Sequence, residues 1–146
     1  MTEAENKAIM FNGNLVSINN IEENEFLVAQ FAAANESSNA LWIGLTDADS
    51  QGASEGGWIW ESGDQLTYTN WYSGEPTNSN TSPEGEDYGV FVTAANIGSS
   101  VGDVIPGMWG STNNFGAGSI IGDGKGIAEI PFIRRGDSAY VIVEGP

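Results

Sequence analysis

The chain opens on a helical pattern. Thr2 followed by Glu3 and Glu5 marks a helix start, and the spacing carries the helix to about Phe11, where Asn12-Gly13 ends it. Leu15-Val16-Ser17-Ile18 then reads as a short extended segment. Asn20 is placed to cap a second helix, and Glu23 stands at the capping-box position three residues on. Glu22 and Glu23 also suit the positive end of that helix's dipole. Phe26, Leu27, Phe31 and Ala34 form an apolar stripe at helical spacing, and Asn35 marks its stop.

After Asn39 the period changes. Leu41-Trp42-Ile43-Gly44-Leu45 reads as a buried strand, and Trp58-Ile59-Trp60 as another. From Tyr72 to Glu86 almost nothing is apolar, so this stretch reads as a long polar loop, a type that is usually functional when it occurs inside a compact domain. Tyr88-Gly89-Val90-Phe91-Val92 is the next strand, and Met108-Trp109 a strand fragment within a Gly-rich, irregular region from Gly98 to Gly126. The end reads as a hairpin, Ala128 to Ile133 and Ala139 to Glu144, turning at Arg135-Gly136-Asp137. Two early helices followed by short strands predict an α+β fold, with residues 1–146 as one domain.

Composition then narrows the chemistry. There is no His and no Cys, which excludes imidazole bases, thiol nucleophiles and thiolate zinc sites. Twenty Asp+Glu against four Lys+Arg give a net charge of −16. Nucleic acid and anionic membrane are therefore poor partners, because binding them is led by Lys and Arg. With 40% hydrophobic residues and five Trp the chain still has a core, and it is no disordered acidic tail. No apolar run approaches the ~18 residues of a membrane span. What remains is oxygen chemistry, suited to hard cations such as Ca²⁺ and to sugars. The acids Asp47, Asp49, Glu55, Glu61, Asp64, Glu75, Glu84, Glu86 and Asp87 cluster between residues 47 and 87, mostly beside Gly, Asn and Pro.

The order of residues here resembles a known family. Trp42-Ile43-Gly44-Leu45 is similar to the "WIGL" core strand of the C-type lectin-like domain. Glu55-Gly56-Gly57-Trp58-Ile59-Trp60-Glu61-Ser62-Gly63 resembles its "EGxWxWxxG", and Leu66 to Trp71 its "xxYTNW". Gly74-Glu75-Pro76 resembles the start of its "GEPN" sugar motif. Asn12-Gly13-Asn14-Leu15-Val16-Ser17-Ile18 followed by Glu22-Glu23-Asn24-Glu25-Phe26-Leu27 resembles the junction of its two helices. These segments stand in family order over about residues 4–92.

The resemblance implies two helices, small antiparallel sheets and a long loop region that carries calcium. It implies a structural calcium site at Asp47, Glu55, Asn78, Glu86 and Asp87, with Asp49 as a substitute ligand. It implies a sugar-binding calcium site with Glu75 and Glu86 as ligands and Thr77 in the amide position. Trp109 matches the Trp of the family's "WND", but Gly110 and Ser111 follow it and supply no carboxylate or amide. Asn113, Asn114, Asp123 or Glu129 then become substitute ligands through an insertion at about 98–126. Tyr88 and Val143 stand where the family has cysteines, and the family's first strand has no counterpart ahead of Thr2.

Among the aromatics, Trp42, Trp58, Trp60 and Trp71 read as core, whereas Trp109 and Tyr72 are candidates for stacking on a sugar. Arg134-Arg135-Gly136-Asp137-Ser138 contains an integrin-motif string, but Gly-Asp in a hairpin is ordinary turn chemistry. The expected function is a calcium-dependent, glycan-binding lectin module. It would belong to a longer, multidomain bacterial cell-surface adhesin and work outside the cell. The alternative is a calcium-stabilised domain that binds a protein or ice surface. An enzyme is disfavoured, because no acid is evident in an apolar setting that would raise its pKa.

Overall fold

The structure is a computed structural model and describes residues 2–32, 39–48, 56–77, 85–94, 104–113, 124–131 and 138–144. Helix α1 runs over Thr2–Met10. It ends where Asn12 takes a φ of 61° and the Gly13 N–H returns to the Ala8 carbonyl at 3.0 Å. Strand β1, Asn14–Leu15, follows. Helix α2, Ile21–Leu27, passes into a π-helical turn over Val28–Ala32. The remaining strands are β2 (Ala40–Thr46), β3 (Ile59–Trp60), β4 (Tyr88–Val92), β5 (Trp109–Thr112), β6 (Lys125–Pro131) and β7 (Ser138–Glu144).

One sheet joins all seven strands. The path is β1-β6-β2-β4-β5, with β3 added to β2 and β7 to β6. Every pairing is antiparallel except β2 with β6, which meet in parallel at Trp42 and Gly126. The expected closing hairpin is present as β6–β7, paired from Lys125 with Glu144 to Pro131 with Ser138. The turn between them, with its integrin-motif string, lies outside the described residues apart from Ser138. Among the described residues, no helix is long and apolar enough to cross a membrane.

β2 is buried at all seven positions because it lies between β4 and β6 and is crossed by the segment after β1. That crossing explains Gly44. A Cβ there would stand 2.6 Å from the Leu15 carbonyl oxygen, while the Gly44 N–H donates to Val16 O at 2.9 Å. Tyr88 and Val143 are buried with Trp42 and Val90, and Tyr88 meets Trp42 edge-on at 6.4 Å.

The cap of α2 forms with a shift. Asn20 accepts from the Glu23 N–H at 2.8 Å, as expected. Glu23 reaches back to the N–H of Asn19, at 2.7 Å, one residue beyond the usual partner. The expected stripe is corrected at Phe26, which is 48% exposed and packs on Tyr140 at 5.7 Å. Leu27 and Phe31 are buried as expected, and Asn24 takes the third buried position in place of Phe26. Ala34 and Asn35 lie outside the described residues.

Asn24 faces the core because Trp109 needs it. Trp109 is fully buried, with Trp60, Tyr68 and Trp71 edge-on around it at 5.6, 5.6 and 5.9 Å. Its Nε1–H donates to Asn24 Oδ1 at 2.9 Å. The Asn24 amide donates in turn to Gly107 O at 2.9 Å, and that carbonyl also accepts from Asn70 Nδ2 at 2.7 Å. One indole thus ties α2, β3, β5 and the segment around residues 66–72 together.

Two acids are withdrawn from solvent, Glu5 on α1 and, in part, Glu61. Glu5 is 7% exposed and accepts the Leu15 N–H at 2.7 Å. Glu61 follows β3, and its Oε1 is buried without a hydrogen-bond partner among the described residues. Burial, reinforced by repulsion from Glu5, pushes the Glu61 carboxyl up to about 7. Burial also raises Glu5, opposed by the Leu15 N–H. The expectation that no acid sits in an apolar setting is therefore corrected: the turn after β3 draws Glu61 inward, which its polar, Gly-rich sequence did not signal.

Two outcomes follow from this packing. Trp109→Phe leaves Asn24 Oδ1 unpaired and should cost about 1–3 kcal/mol in urea unfolding. A carboxyl raised from 4.5 to about 7 stabilises the fold fully below pH 4.5 and loses that contribution as pH climbs through 7. Relative to Glu61→Gln, which cannot ionise, the wild type should therefore lose stability between pH 5 and 8, by up to about 1.4 kcal/mol per pH unit. Parallel stability curves for the two proteins would contradict this.

Candidate functional site

The site is built where the segment after residue 72 meets β5. The Glu75-Pro76 peptide is cis. The Glu75 N–H donates to Tyr72 O at 3.0 Å, and the Tyr72 N–H to Trp109 O at 3.0 Å, so this turn hangs from the Trp109 backbone. β5 continues from Trp109 through Gly110 and Ser111, all buried, and is held on β4, with Ser111 opposite Gly89.

Glu75 meets Ser111 here. Glu75 Oε2 accepts from the Ser111 N–H at 2.6 Å and from the Ser111 hydroxyl. The Thr77 N–H donates to Ser111 Oγ at 3.0 Å. The Thr77 hydroxyl donates to Glu86 Oε2 and lies 3.4 Å from Glu75 Oε1. Three of the sequence-predicted residues, Glu75, Thr77 and Glu86, therefore converge on one hydroxyl.

Ser111 was not among the expected ligands, because only carboxylates and amides were sought after Trp109. Its position two residues past that Trp was the available signal. Gly110 has a steric cause. A Cβ there would lie 2.7 Å from Tyr72 Cε1. The Tyr72 ring thus occupies the space an amide side chain at 110 would need. Tyr72 donates its hydroxyl to Glu75, and burial together with the Glu75 and Glu86 charges pushes it up to about 12. Tyr72 acts as a hydrogen-bond donor at this site.

Trp109 is corrected as a ligand-binding residue. Its ring is 0% exposed and offers no face to a sugar. It is core because its neighbours are aromatic on three sides, which its flanking glycines did not reveal.

The second expected group is divided. Asp47 is 5% exposed, and its Oδ2 accepts the Gly56 N–H at 2.9 Å. Its own N–H donates to Asp87 O at 3.1 Å, and the Thr46 hydroxyl donates to the same oxygen at 2.7 Å. Asp47 and Asp87 are thus joined through a backbone carbonyl, while Glu86 turns to Thr77. Glu55 and Asn78 lie outside the described residues, as do Asp49, Asn114, Asp123 and most of the insertion at 98–126. Asn113 follows β5, and Glu129 sits on β6 between Asn14 and Tyr140, in strand pairings separate from β5. Among the described residues, no group of three or more acids is placed to hold a metal ion.

The donor chemistry suits a hard cation in kind. Glu75, Glu86, Thr77 and Ser111 offer only oxygens, two of them from carboxylates close enough to share one hydroxyl.

The sequence pattern of the family described as the Lectin C-type domain matches residues 2–95. This chain belongs to the C-type lectin domain family. A perlucin-like protein of Mytilus galloprovincialis is 33% identical over 85 residues, covering 58% of this chain and 49% of that one. An alpha-N-acetylgalactosamine-specific lectin of Patiria pectinifera is 37% identical over 67 residues, covering 45% of this chain and 38% of that one. The matches thus span less than half the length of these relatives. Among solved structures, the C-type lectin CEL-I from Cucumaria echinata superposes with a TM-score of 0.56 at 28% identity, covering 71% of this chain and 62% of that one. The C-type lectin fold expected from the sequence is thereby confirmed.

The Tyr72 packing at Gly110 is testable. Gly110→Asn should destabilise the domain by about 1–3 kcal/mol, as overpacking does. Tyr72→Ala in the same chain should recover part of that loss in thermal melts. Equal destabilisation with and without Tyr72 would show that the ring is not the obstacle.

Proposed function

We propose that this domain is a calcium-dependent carbohydrate-binding module. The observation that carries the reading is the convergence of Glu75 and Glu86 on the Thr77 hydroxyl. Two carboxylates so placed repel each other, and a divalent cation removes that cost. Glu75, Thr77, Glu86 and Ser111 would hold Ca²⁺, with Asp47, Glu55, Asn78 and Asp87 available to a second, structural ion. Bound Ca²⁺ supplies coordination positions for vicinal sugar hydroxyls, and the same carboxylates accept hydrogen bonds from those hydroxyls. The specificity printed for the Patiria pectinifera relative supports sugars as the ligand class. Single-site affinity would be weak, so the module gains from repetition in a longer cell-surface adhesin.

One observation favours a second reading. Ser111 and Tyr72 already supply donors to Glu75. A carboxylate satisfied in this way suits a domain that binds a protein or ice surface, with calcium structural or absent.

A glycan array that includes N-acetylgalactosamine, run with calcium and with EDTA, separates the two readings. Calcium-dependent signals, lost in Glu75→Ala while the folded protein persists in EDTA with a melting temperature lowered only as far as the lost Ser111 and Tyr72 hydrogen bonds account for, are the expected result. Absence of glycan signals, or signals indifferent to chelation, would overturn the proposal.

A further inference from the structure

The turn that ends α1 fixes two residue types by its geometry. The Asn12 N–H donates to Ile9 O at 2.9 Å and the Gly13 N–H to Ala8 O at 3.0 Å, the paired bonds of a Schellman closure. Asn12 is the left-handed residue of that closure, with a φ of 61°. Glycine and then asparagine adopt this conformation at least cost. Position 13 accepts only glycine, because a Cβ there would stand 2.2 Å from the Glu129 carbonyl oxygen on β6. Helix closure and sheet contact together place an Asn-Gly pair here, and none of the other asparagines in the chain is followed by glycine.

That pair carries a reaction of its own. Asn12 is exposed, and glycine at 13 has no side chain to screen Asn12 Cγ from the next main-chain nitrogen. Hydroxide takes the Gly13 amide proton, and the nitrogen attacks Asn12 Cγ. The N–Cγ bond forms as the Cγ–Nδ2 bond breaks, and Nδ2 takes a proton from water and leaves as ammonia. Water then opens the cyclic imide. Cleavage at Cγ leaves aspartate on the original main chain. Cleavage at the main-chain carbonyl carbon of residue 12 leaves isoaspartate, whose Cβ has become part of the main chain.

The fold guards the nucleophile. The Gly13 nitrogen attacks only after losing the proton it donates to Ala8 O, and Gly13 is buried although Asn12 is not. We infer that Asn12 is a site of spontaneous deamidation, gated by opening of the closure at the end of α1. Opening one helix end costs less than unfolding the domain, so the folded protein reacts slowly. The isoaspartate product does not reclose the turn. Its extra main-chain carbon moves Gly13 off its seat against Glu129 and displaces β1, where Asn14 pairs with Glu129 and the Leu15 N–H meets Glu5. Modification at Asn12 therefore loosens α1 from the sheet.

The test incubates the folded protein, and the same protein in urea, at mildly alkaline pH. Peptide mapping by mass spectrometry follows Asn12, and NMR follows exchange of the Gly13 amide proton. Deamidation at Asn12 should be slower in the folded protein than in urea, by the same factor that protects the Gly13 amide from exchange. Protein enriched in isoaspartate should melt below both fresh protein and Asn12→Asp, which carries the new charge without the extra carbon. Asn12→Gly, which keeps the left-handed turn, should hold its melting temperature through the same incubation. Absence of deamidation at Asn12 in urea, a folded-state rate that does not follow Gly13 exchange, or isoaspartate protein that melts like Asn12→Asp would overturn the inference.

Discussion

A single buried indole sets the geometry of this domain. Trp109 is enclosed by three aromatic rings, and its one polar atom is matched by Asn24. Burying so large a side chain is favourable only if the N–H finds a partner, since an unmatched donor in the core costs about 1–3 kcal/mol. That requirement places an asparagine on the inner face of α2, where an apolar stripe would be the simpler design. The same ring brings its backbone neighbours to the candidate site. Tyr72 hangs from the Trp109 carbonyl, Glu75 follows Tyr72, and Ser111 lies two residues along β5. Core packing and site geometry therefore share one anchor.

The charge of −16 is distributed unevenly in its consequences. Glu75 and Glu86 are partly exposed and close together, an arrangement a cation can relieve. Glu5, on α1, is buried and Glu61 is half-buried, which makes the neutral form easier to keep. Under the proposed calcium reading the first pair would respond to divalent metal, whereas Glu61 responds to proton concentration. Asp47 and Asp87 form a third arrangement, joined through a main-chain carbonyl that also accepts from Thr46.

Much of the scaffold was legible because it rests on local rules. The cap at Asn20, the buried run of β2, the closing hairpin and the end of α1 each follow from a few adjacent residues. The helical stripe failed at Phe26 because Asn24 serves a residue 85 positions away. At the candidate site, Glu75, Thr77 and Glu86 were singled out by the sequence and meet in the structure. The site was not legible in Ser111, whose role depends on a main-chain N–H, nor in Tyr72, whose ring explains why position 110 is glycine.

The sequence by itself determined the family, the order of elements, the strand core and the oxygen-only chemistry open to a chain without His or Cys. Those properties lie in residue type and near spacing. Tertiary structure alone decided that Trp109 is core rather than surface, that Ser111 and Tyr72 close on Glu75, and that Glu61 is half-buried. Each of these depends on segments far apart in the chain meeting in space, and burial is a property of that meeting, not of the residue.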